Sequence, residues 1–399
     1  MRRKSAFRFY YLLPLVVALI VGASMLIPWM QTGDRRVYDI FLHIKPAVEE
    51  DESLLLLDID DLAIAQVGTW PWSRSVVADG LILLKEFETD TVVFDIEYVD
   101  PSPRGVDSRY LNQELPRLFN AGFNDLNENI NALFEALLQG YIPLEEAEEY
   151  VGELTGISDE IRGDLLAAVR QVARDNDEYM GDAFRLFGNA WATVNMLPDE
   201  IELVRVSEEL RDYVLSDIPL ENISSSGEFT PSLHAPAVQP AIYPVITGAA
   251  GAGFPNVVVD EDGVRRRIDL VAGYKDAYYG PLVFAPLLKH LGDPRVELQK
   301  GRILLDFGDR KTEIPLDSGG RMVINWPPKR FEDSFRHLSY NELVVHDRLE
   351  EQVARNLEIM SQAGYLDFHQ SEAPVIDLYL YATQLRQELL RAAESQTPD

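Results

Sequence analysis

Hydrophobic positions fall along this chain in three patterns. The first is continuous: Phe9 to Met30 is a 22-residue apolar run inside an uncharged stretch that reaches Gly33. At about 20 residues per bilayer crossing, it predicts a transmembrane helix over 9–30. The second pattern is the short apolar run that ends in acids. Leu54 to Leu57 leads into Asp58-Ile59-Asp60-Asp61, and Thr91 to Phe94 leads into Asp95 and Glu97. Each reads as a strand covered on both faces with carboxylates at its C-terminal end. Between them Val76, Val77, Gly80, Leu81, Leu83, Leu84 and Phe87 recur at helical spacing, with Ser73 placed as N-cap. Strand, helix and strand within about 45 residues predict a right-handed crossover unit with the two strands as parallel neighbours. The third pattern is helical and begins at Leu111, where Leu115, Leu118, Phe119, Phe123, Leu126, Ile130, Leu133 and Leu137 are spaced by three or four. Further helices are expected from about Pro143 and from about Asp159, and the helical grammar runs to about Phe187.

Beyond it, Ala190 to Met196 resumes a strand pattern, and Glu221 to Pro240 is a Ser- and Pro-containing connector. Asn256 to Val259 and Val264 to Leu270 flank Asp262-Gly263, a hairpin signal, because the turn needs positive φ and Gly supplies it. Pro281 to Leu291 reads as a helix, and Ile303 to Phe307, Glu313 to Ile314 and Met322 to Asn325 read as short strands. After His337 the stripe Leu343, Leu349, Val353, Leu357 and Met360 predicts a helix, with another from Pro374. The expected fold class is α/β: a mixed sheet with a βαβ core, a large helical insertion and an N-terminal transmembrane helix. The expected divisions are a cytoplasmic N-terminus at 1–8, the span at 9–30, a first sensor half at 34–110, the insertion at 111–221, a second half at 222–337 and a helical segment at 338–399.

Charge fixes the orientation of that span. Arg2, Arg3, Lys4 and Arg8 precede it and Asp34 is the first charge after it, so the bulk of the chain is expected outside the cytoplasm, held by a single span in the cytoplasmic membrane. A cleaved signal peptide is the rival reading, with Val21-Gly22-Ala23 as the cleavage site; the apolar stretch continues past it through Met25 to Trp29. Sixty-six acids against 36 bases give a net charge of −30, a field that repels a phosphate backbone and argues against a nucleic-acid partner. The chain has no cysteine, which excludes disulfides, thiolate metal sites and a Cys nucleophile.

Candidate chemistry concentrates at the strand ends. If the two acid-tipped strands are neighbours, Asp58, Asp60, Asp95 and Glu97 converge, with Asp61 beside them, at the edge where open α/β sheets bind ligands. Such a cluster needs Arg74, a divalent cation or bound protons to balance it. No other cofactor is expected. Asp58-Ile59-Asp60 also has the shape of the haloacid-dehalogenase nucleophile motif, but Leu62 stands where that motif wants Thr or Val, and no downstream acidic pair for magnesium follows. Trp70-Pro71-Trp72, just ahead of Arg74, forms a rigid apolar corner that either plugs the crossover or stacks on a ligand. Asp260-Glu261-Asp262-Gly263 lacks the later ligands of a calcium loop. In the run Arg265-Arg266-Arg267, strand alternation puts Arg265 and Arg267 on one side, where they clasp acids or lie along a solvated edge. The six histidines show no metal-ligand spacing, and no Walker loop, nucleophile elbow or dinucleotide fingerprint is present.

These features in order, the N-terminal anchor, "DRRVYD" at 34–39, "LLLLDIDD", "GTWPWSR", "VVFDIEY", "GFPNVVVDEDGVRRRIDL" at 253–270 and "IPLDSGGRMVINW" at 314–326, resemble the second type of CHASE domain. The resemblance covers about residues 34 to 337. It implies an extracytoplasmic sensor of a bacterial receptor, followed in that family by further membrane helices and a class III cyclase or a kinase. The long insertion is similar to cyclase-linked versions. It further implies an unidentified extracellular ligand or protein partner and a homodimer formed through the receptor. The family's closing segment, a "GKIVLIG"-like strand and membrane helices, is absent here, so these residues are expected to be the input part of a longer receptor. Two readings from other classes stand beside it: an anchored phosphohydrolase using Asp58 and Asp60, and an envelope protein that binds a protein partner.

Overall fold

A computed structural model describes residues 37–366 other than 43, 47, 107–109, 112–114, 172, 200–205, 228 and 328, together with residue 14 and part of 377–388. The expected span at 9–30 lies outside the described residues apart from residue 14. Among the described residues no helix is long and apolar enough to cross a membrane.

Strand β1 (Leu55–Asp58) is followed by helix α1 (Asp61–Val67), whose first turn is capped by the Asp60 carboxylate accepting from the Ala63 N–H at 2.8 Å. Helix α2 (Arg74–Glu86) and strand β2 (Val92–Val93) follow. Strand β3 (Gly105–Val106) leads into two long helices, α3 (Leu115–Leu138) and α4 (Ala147–Gln171), which return through β4 (Ala173–Arg174). Next come α5 (Asn176–Phe187), β5 (Ala190–Leu197), α6 (Glu208–Ser216), β6 (Ile223–Ser225), β7 (Leu233–His234) and β8 (Ala237–Pro240). Helix α7 (Tyr243–Gly248) precedes β9 (Gly251–Gly253), β10 (Arg267–Ile268), β11 (Ala272–Tyr274) and β12 (Ala277–Tyr279). Helix α8 (Phe284–His290), strands β13 (Arg295–Gln299), β14 (Arg302–Asp306), β15 (Lys311–Pro315), β16 (Met322–Val323) and β17 (Arg336–Ser339), and helix α9 (Asn341–Gln362) complete the chain.

The main core forms around β5, whose residues Ala190 to Val194 are all buried. It pairs in parallel with β2 and β9 and antiparallel with β8, which makes the sheet mixed. Helices α2, α5 and α7 pack in succession beside it, filling the interior with Leu81, Met180, Phe184, Phe187 and Ile246. The α5–α7 contact is close because both helices present glycine: a Cβ on Gly181 would meet the Pro244 carbonyl at 2.4 Å, and one on Gly248 would meet the Gly181 carbonyl at 2.4 Å. A second core lies between α8 and the four-stranded sheet β15-β14-β13-β6, around Phe284, Leu298 and Ile303.

Three expectations change. First, β1 and β2 are not paired: β1 runs parallel to β17, with Asp58 opposite Ser339, and β2 joins β5. The short β2 is captured by the longest buried strand, and β1 finds an edge whose sequence, Arg336-His337-Leu338-Ser339, is too polar to read as a buried strand. Second, the insertion is shorter than 111–221. It closes where Val106 pairs with Ala173 and Gly105 with Arg174, and α5 and β5 belong to the main core because their apolar faces are fully buried. Third, the turn at Asp260–Gly263 forms, with Gly263 at φ +82, but its arms meet only at the bridge Val258 to Arg267, and β10 pairs with β16.

Candidate functional site

The chain segment leading into β1 is laid along the segment leading into α9. Tyr38 donates to the Ile324 carbonyl, Lys45 to that of Trp326 at 2.9 Å, and Glu50 accepts from the Phe335 N–H at 2.7 Å and from Lys329 at 3.0 Å. The β1–β17 pair continues this seam to the start of α9. The segment before and through β1 is therefore fastened to the segment that ends in β17, and the polar residues singled out in the sequence divide around that seam.

At the strand ends, Asp58 meets His337 rather than the acids after β2. One carboxylate oxygen lies 2.5 Å from His337 Nδ1, while Nε2 lies 2.8 Å from the Ser334 carbonyl and 3.1 Å from that of Phe331. All these partners are acceptors, so both ring nitrogens satisfy them only as N–H donors, in the imidazolium form. The hydrogen bond to Asp58 raises the His337 pKa above its ordinary value, assisted by the two carbonyls. Asp60 accepts from the Ala63 N–H and from Ser339 Oγ at 2.8 Å, and these bonds, the first above all, lower its pKa. Asp61 is exposed in the first turn of α1, and Asp95 and Glu97 are exposed beyond β2. The expected four-acid cluster does not form, because the strands that carry the acids have different partners. Among the described residues no three His, Asp or Glu side chains are grouped to hold a metal ion.

The Trp corner is mainly interior. Trp72 is buried, donates from Nε1 to the Gly68 carbonyl at 2.9 Å and packs on Tyr340 with ring centroids 5.3 Å apart. Trp70 stands edge-on to Trp72 across a cis Trp70–Pro71 bond and is 37% exposed. Arg74 is buried in the first turn of α2. It donates to the Asp177 carboxylate of α5 and to the Asp100 carbonyl, with its guanidinium carbon 5.4 Å from the centre of the Tyr98 ring. Asp177 also accepts from the Ser102 N–H at 2.9 Å and its hydroxyl at 2.6 Å. Arg74 thus balances an acid from α5 and pins the loop after β2.

A second ionic centre has Arg266 at its middle. Its guanidinium receives both oxygens of Asp39, at 2.8 and 2.6 Å, both of Asp262 at 2.8 and 2.9 Å, and one of Asp260 at 2.9 Å. Arg267 joins Asp260 at 3.0 Å to Asp317 at 2.9 Å. The bonds to Asp39 and Asp262 raise the Arg266 pKa further, and the Asp262 carboxyl, held mainly by Arg266, is pushed down to about 2. Strand alternation pointed to Arg265 and Arg267; Arg267 does pair, but Arg266 is the deeper of the two because β10 begins only at Arg267. The local part of the signal was Asp260 and Asp262 just ahead of the arginine run; Asp39, 227 residues away from Arg266, had none.

Beside the seam, α2 and α9 leave an open groove of about 230 Å³, lined by Val76, Leu83, Leu343 and Val344 with Asp79, Asp347 and Arg348 at its polar side. Tyr340 forms part of its wall and donates to the Val76 carbonyl at 2.8 Å.

No curated protein and no solved structure matches the chain. The family described as the CHASE2 domain matches residues 14–360, which takes in the seam, both ionic centres and nearly all of α9. The chain therefore belongs to the CHASE2 domain family, extracellular sensor domains of signal-transduction receptors.

Proposed function

We propose that this chain is the membrane-anchored, extracytoplasmic input of a bacterial receptor whose output is a class III adenylate or guanylate cyclase. The observation that supports this reading is the seam between 37–58 and 322–340: it ties the segment after the expected anchor to the start of α9, and in this proposal a movement of one is passed to the other. In this proposal the ligand is an extracellular molecule or protein taken by the α2–α9 groove beside Trp70, and α9 carries the change away. The phosphohydrolase reading has less support, since Asp58 is engaged by His337 and Asp60 by a helix cap and Ser339.

A phosphatase reporter active only outside the cytoplasm, fused after Trp326 of the chain expressed in bacteria, should be active, and a cytoplasmic reporter at the same point should be silent. The opposite pattern would overturn the anchored-receptor reading. The cyclase output is tested separately, by reading the coding sequence beyond codon 399 for further membrane helices and a cyclase domain.

A further inference from the structure

The α3–α4 hairpin has two apolar sides, and the fold covers one. The inner seam is half-buried Leu126, Ile130 and Leu133 of α3 against Ile157 and Ile161 of α4, with Gly122 so near Ile161 that a Cβ there would lie 2.8 Å from it. At about 100° per residue, Phe123, Phe134 and Leu138 sit roughly 60 to 120° round from that seam, and Val151 and Val169 sit the same way round on α4. Because the helices run antiparallel, rotation in the same sense brings both sets to one side of the hairpin. That side is open: Phe134 is 62%, Leu138 86% and Val169 48% exposed, and α3 has no buried residue along its whole length.

The charges say what can cover it. Residues 115–171 hold eleven acids against three arginines, yet helical geometry turns Asp125 and Glu128 of α3 away from that side, and most of the acids of α4 likewise. Of those bordering the apolar side, Asp159 is paired with Arg162 at 3.1 Å, which leaves Glu135 and Glu148 at its margin. The face is therefore nearly neutral on a molecule of charge −30. A cationic partner or a charged lipid surface would be recognised through charge that this side does not present. A second copy, repelled over the rest of the surface, meets no such repulsion here. Two antiparallel helices with one open apolar side are half of a four-helix bundle.

We propose that this face docks on the same face of a second copy of the chain, hairpin against hairpin, in an isologous pair that completes a four-helix bundle. The proposal does not rest on the sensor reading, and its test does not either. The chain has no cysteine, so a single introduced thiol reports on one position. In the full chain, in whole expressing cells, Asn127→Cys places a thiol in the middle of the apolar face, and Glu128→Cys places one about 100° round, off that face. A short bifunctional maleimide should give covalent homodimer from Asn127→Cys and about tenfold less from Glu128→Cys; adding Phe134→Asp to Asn127→Cys should lower the yield about tenfold, as loss of a central aromatic anchor does. Equal yields from the two thiols, no dimer from either, or a crosslink to a different protein would each overturn the proposal. So would an undiminished yield with Phe134→Asp, provided near-ultraviolet circular dichroism shows the variant folded.

Discussion

At Arg266 the guanidinium is 3% exposed, and its carboxylate partners come from two distant stretches of chain, Asp39 before β1 and Asp260 with Asp262 ahead of β10. Arg74 repeats the arrangement on a smaller scale, joining α2 to α5 through Asp177. Removing one partner of a buried pair leaves the other charge uncompensated, so Arg74→Met should cost about 3 to 5 kcal/mol in urea unfolding. Adding Asp177→Asn should recover more than half of that loss; a cost under about 1 kcal/mol would mean that the pair does not pin the loop after β2. His337 gives a prediction with a sign. Its folded pKa is raised by Asp58, so its stabilising effect is complete below the unfolded value of about 6.5 and is lost as pH rises through the folded value. Thermal melts should therefore lose stability as pH rises above about 6.5, and His337→Gln should remove that part of the pH dependence while leaving the acid limb to carboxylates such as Asp262, whose contribution is lost as pH falls through about 2. An unchanged profile in His337→Gln would show that the imidazolium clasp does not form. The sequence exposed Asp58, Asp60, Trp72 and Arg74 as noteworthy, but a residue type carries no partner. Asp177 and His337 lie about 100 and 280 residues away from the groups they bind, and only the fold makes those pairs.

Among elements, those with a strong period of their own were legible. Strands β1, β5, β14 and β15 fall where apolar runs or alternation put them, and α2 spans 74–86 against an expected stripe from 76 to 87. β17 was not legible because its alternation is half polar, and β11 and β12 are three residues each, too short to show a period. Helix α5 was legible as a helix but was assigned to the insertion, since a burial pattern does not state which core it faces. The pairing Val106 to Ala173 shows where the insertion ends, and it makes a test. Replacing 107–172 by Asn-Gly would join β3 and β4 through a two-residue turn suited to an antiparallel pair. Since α5 packs on α2 and α7 and not on the hairpin core, the shortened protein should unfold in one cooperative transition, with a melting temperature within a few degrees of the parent. Loss of cooperativity would mean that the hairpin is part of the main core.

At the scale of the whole molecule, α9 is fastened by its packing on α1 and α2 and by the β1–β17 pair that leads into it. Tyr340 is the joint: its hydroxyl donates to the Val76 carbonyl at 2.8 Å, its ring packs on Trp72, and it stands directly over Gly80. A Cβ on Gly80 would lie 1.9 Å from the Tyr340 hydroxyl and 2.7 Å from Cζ, so Gly80→Ala cannot be accommodated without moving that side chain. Helix propensity alone favours Ala over Gly by up to about 1 kcal/mol; overpacking costs about 1 to 3 kcal/mol and should win. Gly152, on an exposed face of α4 with nothing within 4 Å of its Cβ position, supplies the control, and Gly152→Ala should stabilise by roughly 0.5 to 1 kcal/mol. The two substitutions are chemically identical, so their difference reports the α2–α9 joint. In Gly80→Ala, trypsin should also cut faster at Arg348, whose guanidinium is otherwise held by the Gln66 carbonyl at 2.9 Å. If Gly80→Ala instead behaves like Gly152→Ala in both the melt and the digestion, α9 is not rigidly seated on α2, and the proposed coupling between groove and α9 loses its joint.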